Sequence, residues 1–362
     1  MTFAFKQTSA DFRVSEELPF ALAGKGEALY VYIEKRNVTT QEVILHLRKK
    51  LKLSRLSLWI AGLKDKKAIA KQWISIYDRA LKKAGGERLF VDTLAEIVKI
   101  IEVSRHPFPL NLSTPITNKF YITFKAQKNL GQAERAEAQQ IVKELLEKGY
   151  PNRYGEQRFG IMGRNSTQGR ELLHGTSKDK KEMTKADMVF KIQAFASQVF
   201  NEYVDHVGSA LVDGDIVAWT AQGKMQWGVY DATTKAVSPT EIKGADAWAT
   251  FAVQRMGKQI PYDAKSMIAT WPVLWRNMPL PPAKSAAGMR EAKFLEKYLK
   301  DKEMFAQFRE HKIFGLRRPL WVNPTKCDVH YDGDDLRISF TLPSWAYASI
   351  VFDELTRTLV RE

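Results

Sequence analysis

Cysteine is almost missing from this chain: Cys327 is the only one in 362 residues. One thiol can neither close an intrachain disulfide nor build a cysteine-rich zinc site, and its isolation fits a reducing compartment. Long apolar runs are missing as well. No stretch approaches the ~18 apolar residues that a membrane span requires. The opening MTFAFKQTSADFRV lacks both the apolar core and the small-residue cleavage site of a signal peptide. The expectation is a soluble, cytoplasmic protein. Cofactor and metal signatures are equally scarce. No GxGxxG occurs, and GKGE at 24–27 lacks the strand, spacing and Lys-Ser/Thr ending of a phosphate-binding loop. The six histidines, His46, His106, His174, His206, His311 and His330, show neither HxH nor HExxH spacing. Nor is there a GxSxG for a hydrolase nucleophile. No cofactor and no metal are expected.

What the chain does have is positive charge. Lys and Arg number 56 against 41 Asp and Glu, a net +15 with an isoelectric point near 9.6. That imbalance favours a polyanionic partner, most commonly nucleic acid, with an anionic membrane as the alternative. Nine Trp, twelve Tyr and nineteen Phe offer stacking faces for bases, although most aromatic rings serve as core. A 44% hydrophobic and 27% charged composition is that of an ordinary globular protein, and the length suits one large or two ordinary domains.

Periodicity places the main elements. Leu29, Val31 and Ile33 alternate with Tyr30 and Tyr32, which predicts a strand over 29–34 with one buried face. Thr39-Thr40-Gln41-Glu42 has capping-box spacing and opens a helix. That helix sets Val43, Ile44, Leu47 and Leu51 against Arg48, Lys49, Lys50 and Lys52. Its basic face reads either as solvated surface or as an RNA-backbone contact. LSLWIAG (56–62) reads as a strand, followed by the turn KDKK and a second strand from Ile69 to Ile76. Helices are expected over 132–148, 186–206 and 289–311, a half-buried strand over 336–342, and a final helix to about 360. Five prolines make 258–288 read as long loops. Strands and helices without regular βαβ alternation predict an α+β fold.

One carboxylate stands out. Asp65, in WIAGLKDKKAIAKQW (59–73), lies in a turn between two apolar segments, flanked by Lys64, Lys66 and Lys67. Neighbouring cations favour its ionised form, and a loop carboxylate at the end of a buried strand is firmly placed yet accessible. By spacing alone, however, KDKK is an ordinary solvated turn.

The surrounding residues tip the balance. The segment resembles the signature of the TruD family of pseudouridine synthases, AG-x-KD-[KR]-x-A-[VI]-T-x-QW. Ala61, Gly62, Lys64, Asp65, Lys66, Ala68, Ile69, Gln72 and Trp73 match it, and Ala70 stands where Thr is usual. Five further blocks keep the family's order. DFRVSEELPF (11–20) supplies Phe12, Val14 and Glu16, and GKGEALYVYIEKRNVTT (24–40) comes next. NRYGEQRFGIMGRN (152–165) supplies Asn152 and Arg158, LVDGDIV (211–217) an aspartate turn, and SFTLPSWAYASIVFDEL (339–355) Tyr347. The segment 105–120, RHPFPLNLSTPITNKF, keeps Arg105, His106, Asn118 and Phe120 but replaces a basic middle with apolar and proline residues.

The resemblance implies a pseudouridine synthase catalytic domain of mixed, largely antiparallel sheet and flanking helices, from 1–165 and 312–362, with an inserted family-specific α/β domain at 166–311. It implies a cofactor-free isomerase acting on uridine 13 in the D-arm of tRNA. Asp65 would be the catalytic group, as nucleophile or as base. Phe12, Asn118, Phe120 and Tyr347 would hold the uracil, with Glu16, Lys64, Asn152 and Arg158 in support. A monomer is expected. The altered 105–120 segment keeps open action on another RNA, or a catalytically silent RNA-binding relative; a methyltransferase is disfavoured by the missing cofactor loop.

Overall fold

The computed structural model describes residues 2–54, 57–110, 114, 116–207, 210–221, 224–240, 260–261, 268–274, 284–298, 310–311 and 316–360. Two compact units emerge, one made of Met1–Lys148 and Asn323–Glu362, the other of Gly149–Val322.

In chain order the first unit opens with strands β1 (Phe3–Phe5), β2 (Phe12–Glu17) and β3 (Ala28–Arg36), then helix α1 (Thr40–Leu51). Strands β4 (Leu58–Trp59) and β5 (Ile69–Tyr77) come next, then helices α2 (Asp78–Lys83) and α3 (Glu87–Ala95). Strands β6 (Lys99–His106) and β7 (Thr117–Ala126) and helix α4 (Gln132–Lys148) complete the N-terminal part.

The second unit begins at β8 (Tyr150–Pro151), which pairs antiparallel with β15 (Trp321–Val322) near its end. This pairing joins the two ends of the second unit, and the NRYGEQRFG block folds with residues C-terminal to it, Asn152 with Pro319 and Tyr154 with Asn201. Between these strands lie helices α5 (Arg164–Leu173), α6 (Lys185–Val207) and α7 (Ala286–Glu296). They accompany a six-stranded sheet of β9 (Ile216–Ala221), β10 (Lys224–Asp231), β11 (Ala236–Thr240), β12 (Ile260–Pro261), β13 (Ile268–Leu274) and β14 (Leu316–Pro319). The long-loop reading of 258–288 is corrected here. Pro272 sits in β13 beside a register shift, where the ladder is already interrupted, and Pro261 lies on the edge strand β12; both are places where a strand tolerates proline. The helix expected over 289–311 starts earlier, at Ala286, and 299–309 lie outside the described residues.

The chain returns to the first unit as β16 (Thr325–Asp332), β17 (Asp335–Pro343) and helix α8 (Ser349–Val360). Its nine-stranded sheet runs β16-β17-β7-β2-β5-β3-β6, with β1 on β7 and β4 on β5. Among the described pairs only β2 with β5 is parallel. Fold class and sheet character therefore match the sequence reading.

Local chemistry accounts for the frame around the site. Thr39 and Glu42 form the expected reciprocal cap: Glu42 N donates to Thr39 Oγ1 at 3.0 Å and Thr39 N to Glu42 Oε2 at 2.5 Å. Val43, Leu47 and Leu51 of α1 then pack on Leu29, Val31, Ile33, Ile74 and Ile76 of β3 and β5. Each fully buried side chain of this kind contributes ~1.5–3 kcal/mol, so α1 and the centre of the sheet are firmly joined. Gly26, at φ 132, comes so close to the backbone of His106 that a Cβ would lie 2.3 Å from its carbonyl carbon. That contact, and no phosphate loop, explains the glycine of GKGE. Among the described residues no helix is long and apolar enough to cross a membrane.

Candidate active site

The loop between β4 and β5 carries Asp65, and three neighbouring elements fasten it. In the β3–β5 ladder Lys35 pairs with Ala70 and Arg36 with Ile69, so the end of β3 lies beside the strand that leaves the loop. From there the fully buried Lys35 Nζ donates to the carbonyls of Val38 (2.8 Å), Lys64 (3.1 Å) and Asp65 (2.7 Å). At the start of α1, Thr40 Oγ1 accepts from Lys64 N at 2.9 Å and donates to Gln72 Oε1 at 2.7 Å. Gln72 Nε2 in turn reaches Gly62 O at 3.5 Å, a weak closing contact. Burial pulls Lys35 down to about 8, against the opposing pull of the Asp65 charge.

Asp65 itself is open to solvent, with 43% of its side chain exposed. Its Oδ2 accepts from Lys6 Nζ at 2.5 Å, and the same ammonium lies 4.5 Å from the centre of the Phe12 ring. The adjacent Lys64 points the other way, into the protein. Its Nζ is 2.8 Å from Glu16 Oε1 and 2.8 Å from Asn118 Oδ1. Glu16 and Asn118 are cross-strand partners on β2 and β7, and Glu16 Oε2 accepts from Trp73 N at 2.9 Å. One buried ion pair thus ties three strands to the residue preceding the exposed carboxylate.

The aromatic candidates form part of the floor. Phe12 and Phe120 are mostly buried, with ring centres 5.8 Å apart, and Phe120 packs on Phe340 at 5.6 Å. Only a small edge of either ring is available to a ligand, so much of their role is packing. Tyr347 is half-buried, just beyond the end of β17, whose Leu342 is the strand partner of Asn118.

Asn152 and Arg158 belong to the second unit and are engaged there. Asn152 is buried; its Nδ2 donates to Pro319 O at 2.7 Å and its Oδ1 accepts from Arg318 at 2.6 Å. Arg158 reaches Ser197 and Gln193 of α6, each at 3.3 Å, and lies over the Phe190 ring. In the aspartate turn, Asp215 is buried against Arg290 and caps Val212 N at 2.8 Å. Arg105, retained in the altered segment, is spent on Asp78 and Glu87, each at 2.7 Å.

Two residues at the carboxylate escaped the sequence reading, Lys6 and Lys35. Lys35 did carry a signal: it falls in the same strand phase as Leu29, Val31 and Ile33, where a lysine has no reason to be unless it has partners. A cavity of about 670 Å³ between Leu51–Ser54, Trp59, Tyr77–Ala80 and Lys83 lies at the opposite end of β5 from the Asp65 loop. It takes no part in this site.

The family model described as tRNA pseudouridine synthase D (TruD) matches residues 2–183, half of the chain, and includes every residue of the Asp65 network. The chain belongs to the TruD family. Curated relatives agree over nearly the full length. A tRNA pseudouridine synthase D of Thermus thermophilus is 29% identical over 353 residues, covering 96% of this chain and 86% of that protein. One from Sulfurimonas denitrificans is 26% identical over 368 residues, with coverage of 98% and 95%. A solved structure from Methanosarcina mazei, described as a TruD-type tRNA pseudouridine synthase, superposes with a TM-score of 0.65 at 19% identity, covering 98% of this chain and 94% of that one. That last likeness speaks for the fold: the TruD architecture is shared from end to end.

Proposed function

We propose that this TruD member isomerises uridine to pseudouridine in tRNA, at position 13 of the D-arm, with Asp65 as the catalytic carboxylate. The observation that carries the reading is the combination at Asp65: an exposed carboxylate on a loop whose backbone is pinned from three sides. Pre-organised placement of a reacting group lowers the barrier by removing the entropic cost of orienting it at the moment of reaction.

The reaction breaks the uridine N1–C1′ bond, turns the uracil, joins C5 to C1′ and returns the C5 proton to solvent while N1 gains one. Atoms balance without an oxidant or a second substrate. Asp65 serves either by attacking C1′ or by removing the C2′ proton, and both routes need the anion beside the ribose. The uridine must leave its stack to reach it. The edges of Phe12 and Phe120, with Tyr347, then hold the uracil faces, and Asn118 presents its amide at the same end of the sheet. Lys64, fixed by Glu16, orients Asn118, while Arg158 is a candidate phosphate contact. The first unit is the catalytic domain and the second the family-specific insertion. A cytoplasmic monomer suits a tRNA substrate and a chain with one cysteine.

The retained network of Glu16, Lys64, Asp65 and Asn118 favours activity over a silent RNA-binding relative, which has no use for a pinned carboxylate. Mapping pseudouridine in bulk tRNA from cells lacking and then regaining this protein tests the reading. A single regained site at position 13 supports it, and regained sites elsewhere reassign the substrate.

A further inference from the structure

We propose that Lys35 is a positioning residue for the reaction, holding both peptide groups that flank Asp65 so that the carboxylate keeps one direction. The proposal rests on the reading of Asp65 as the catalytic group.

The geometry is specific. The carbonyl of Lys64 belongs to the peptide before Asp65 and the carbonyl of Asp65 to the peptide after it, and one ammonium binds both, at 3.1 and 2.7 Å. Fixing these two planes fixes the Cα–Cβ direction of Asp65. The third N–H goes to Val38 O at 2.8 Å, in the turn that leads into α1. From that helix Thr40 Oγ1 takes the Lys64 N–H at 2.9 Å. An ammonium has three donors and here meets three carbonyls; a neutral amine would have only two.

A purely structural role explains this arrangement poorly. Lys35 is fully buried on the face of β3 that otherwise carries Leu29, Val31 and Ile33. Burying a charge is costly unless it is well paired, and an apolar side chain of similar size is often at least as stabilising. What an apolar replacement cannot do is hold two consecutive carbonyls. Among the charged groups facing Lys35, Asp65 and Glu42 favour the cation and Lys64 and Lys6 oppose it. Burial is the largest influence and brings the ammonium to about 8, where it can lose its third donor under mild alkali.

The sign separates activity from folding. Because the folded value lies below that of the unfolded chain, the unfolded chain binds more protons above about 8. The contribution of Lys35 to stability therefore rises with pH in that window. Its contribution to catalysis falls there, as one carbonyl is released.

The test compares wild type, Lys35→Met and Asp65→Asn on tRNA, measuring kcat, tRNA affinity and thermal unfolding across pH. Lys35→Met is expected to lower kcat by ~10²-fold, the scale of a misplaced reacting group, with Kd for tRNA within about threefold of wild type. Wild-type kcat should fall above about pH 8, without a matching fall in thermal stability, and Lys35→Met should lack that limb. Unchanged kcat in Lys35→Met, or a loss confined to tRNA affinity, overturns the positioning role. If Lys35→Met does not fold, the wild-type profile decides: kcat that stays flat from about pH 7 to about pH 9.5 overturns it. An active Asp65→Asn would instead strike the catalytic reading itself, which keeps the two failures apart.

Discussion

The ammonium of Lys6 lies 2.5 Å from the Asp65 carboxylate and covers the Phe12 ring at 4.5 Å. β1 ends at Phe5, and Lys6 comes next with a left-handed φ of 56, which turns the chain there. The contact joins a residue at the start of the chain to the loop between β4 and β5.

Lys6 is thus expected to hold the carboxylate in one rotamer without carrying the fold. A hydrogen bond to a charged group contributes ~1.5–3 kcal/mol where it is well formed, whereas an ion pair with an exposed partner adds ~0–1 kcal/mol to stability. Lys6→Met should lower kcat/KM by about tenfold or somewhat more and leave the unfolding temperature almost unchanged. Steady-state kinetics beside calorimetry checks both halves. A wild-type rate in Lys6→Met would show that the pair does not orient Asp65.

Glu16 and Lys64 behave oppositely, because both are buried. Removing one partner leaves an uncompensated charge, at a cost of ~3–5 kcal/mol. Glu16→Gln should therefore unfold at clearly lower denaturant than wild type. The double change Glu16→Gln with Lys64→Met should recover most of that stability but not the activity, since Asn118 loses its donor. Equal stabilities of the single and double variants would place the pair outside the structural frame.

Tyr347 separates packing from stacking. Tyr347→Phe keeps the aromatic face and should retain near wild-type turnover. Tyr347→Ala should lose ~1–3 kcal/mol of substrate or transition-state stabilisation, the scale of one stacked base. An alanine variant as active as wild type would mean that this ring does not touch the uracil.

RNA binding should depend strongly on salt, with log K falling by ~0.7–0.9 per neutralised phosphate. Lys49 is exposed on α1, whereas Lys50 already lies 3.3 Å from Glu96, so the larger effect belongs to Lys49. Lys49→Gln should flatten the salt slope by up to ~1, and Lys50→Gln by less. Filter-binding titrations across salt measure the slopes. A salt-independent affinity would assign the basic surface to some other partner.

Much of the frame was legible in the sequence because its causes are local. The Thr39–Glu42 cap, the strand phase of Leu29, Val31 and Ile33, and the period of the 132–148 and 186–206 helices each depend on residues a few positions apart. The single buried face expected over 29–34 is corrected: Tyr30, on the opposite face, is fully buried as well, against Trp73 and Leu110. That Glu16, Lys64 and Asn118 lie together beside the loop of Asp65 could be anticipated only through family resemblance, which carries long-range information that spacing does not. Lys6 could not be read this way: its contact with Asp65 spans 59 positions and lies just past a three-residue strand. The strand at 268–274 was hidden by Pro272, whose place beside a register shift depends on the pairing with β14. Asn152 matched a motif, yet it frames the start of the second unit through Arg318 and Pro319, a role that no pattern of neighbours could reveal.

The central claim, that Asp65 carries the chemistry, is tested most directly by pseudouridine formation in tRNA with wild type and Asp65→Asn side by side. The substitution removes one exposed negative charge and leaves the carbonyl held by Lys35, so folding and tRNA affinity should persist. Pseudouridine should become undetectable. Turnover by Asp65→Asn within about tenfold of wild type, a difference of ~1.4 kcal/mol in barrier, would contradict the account.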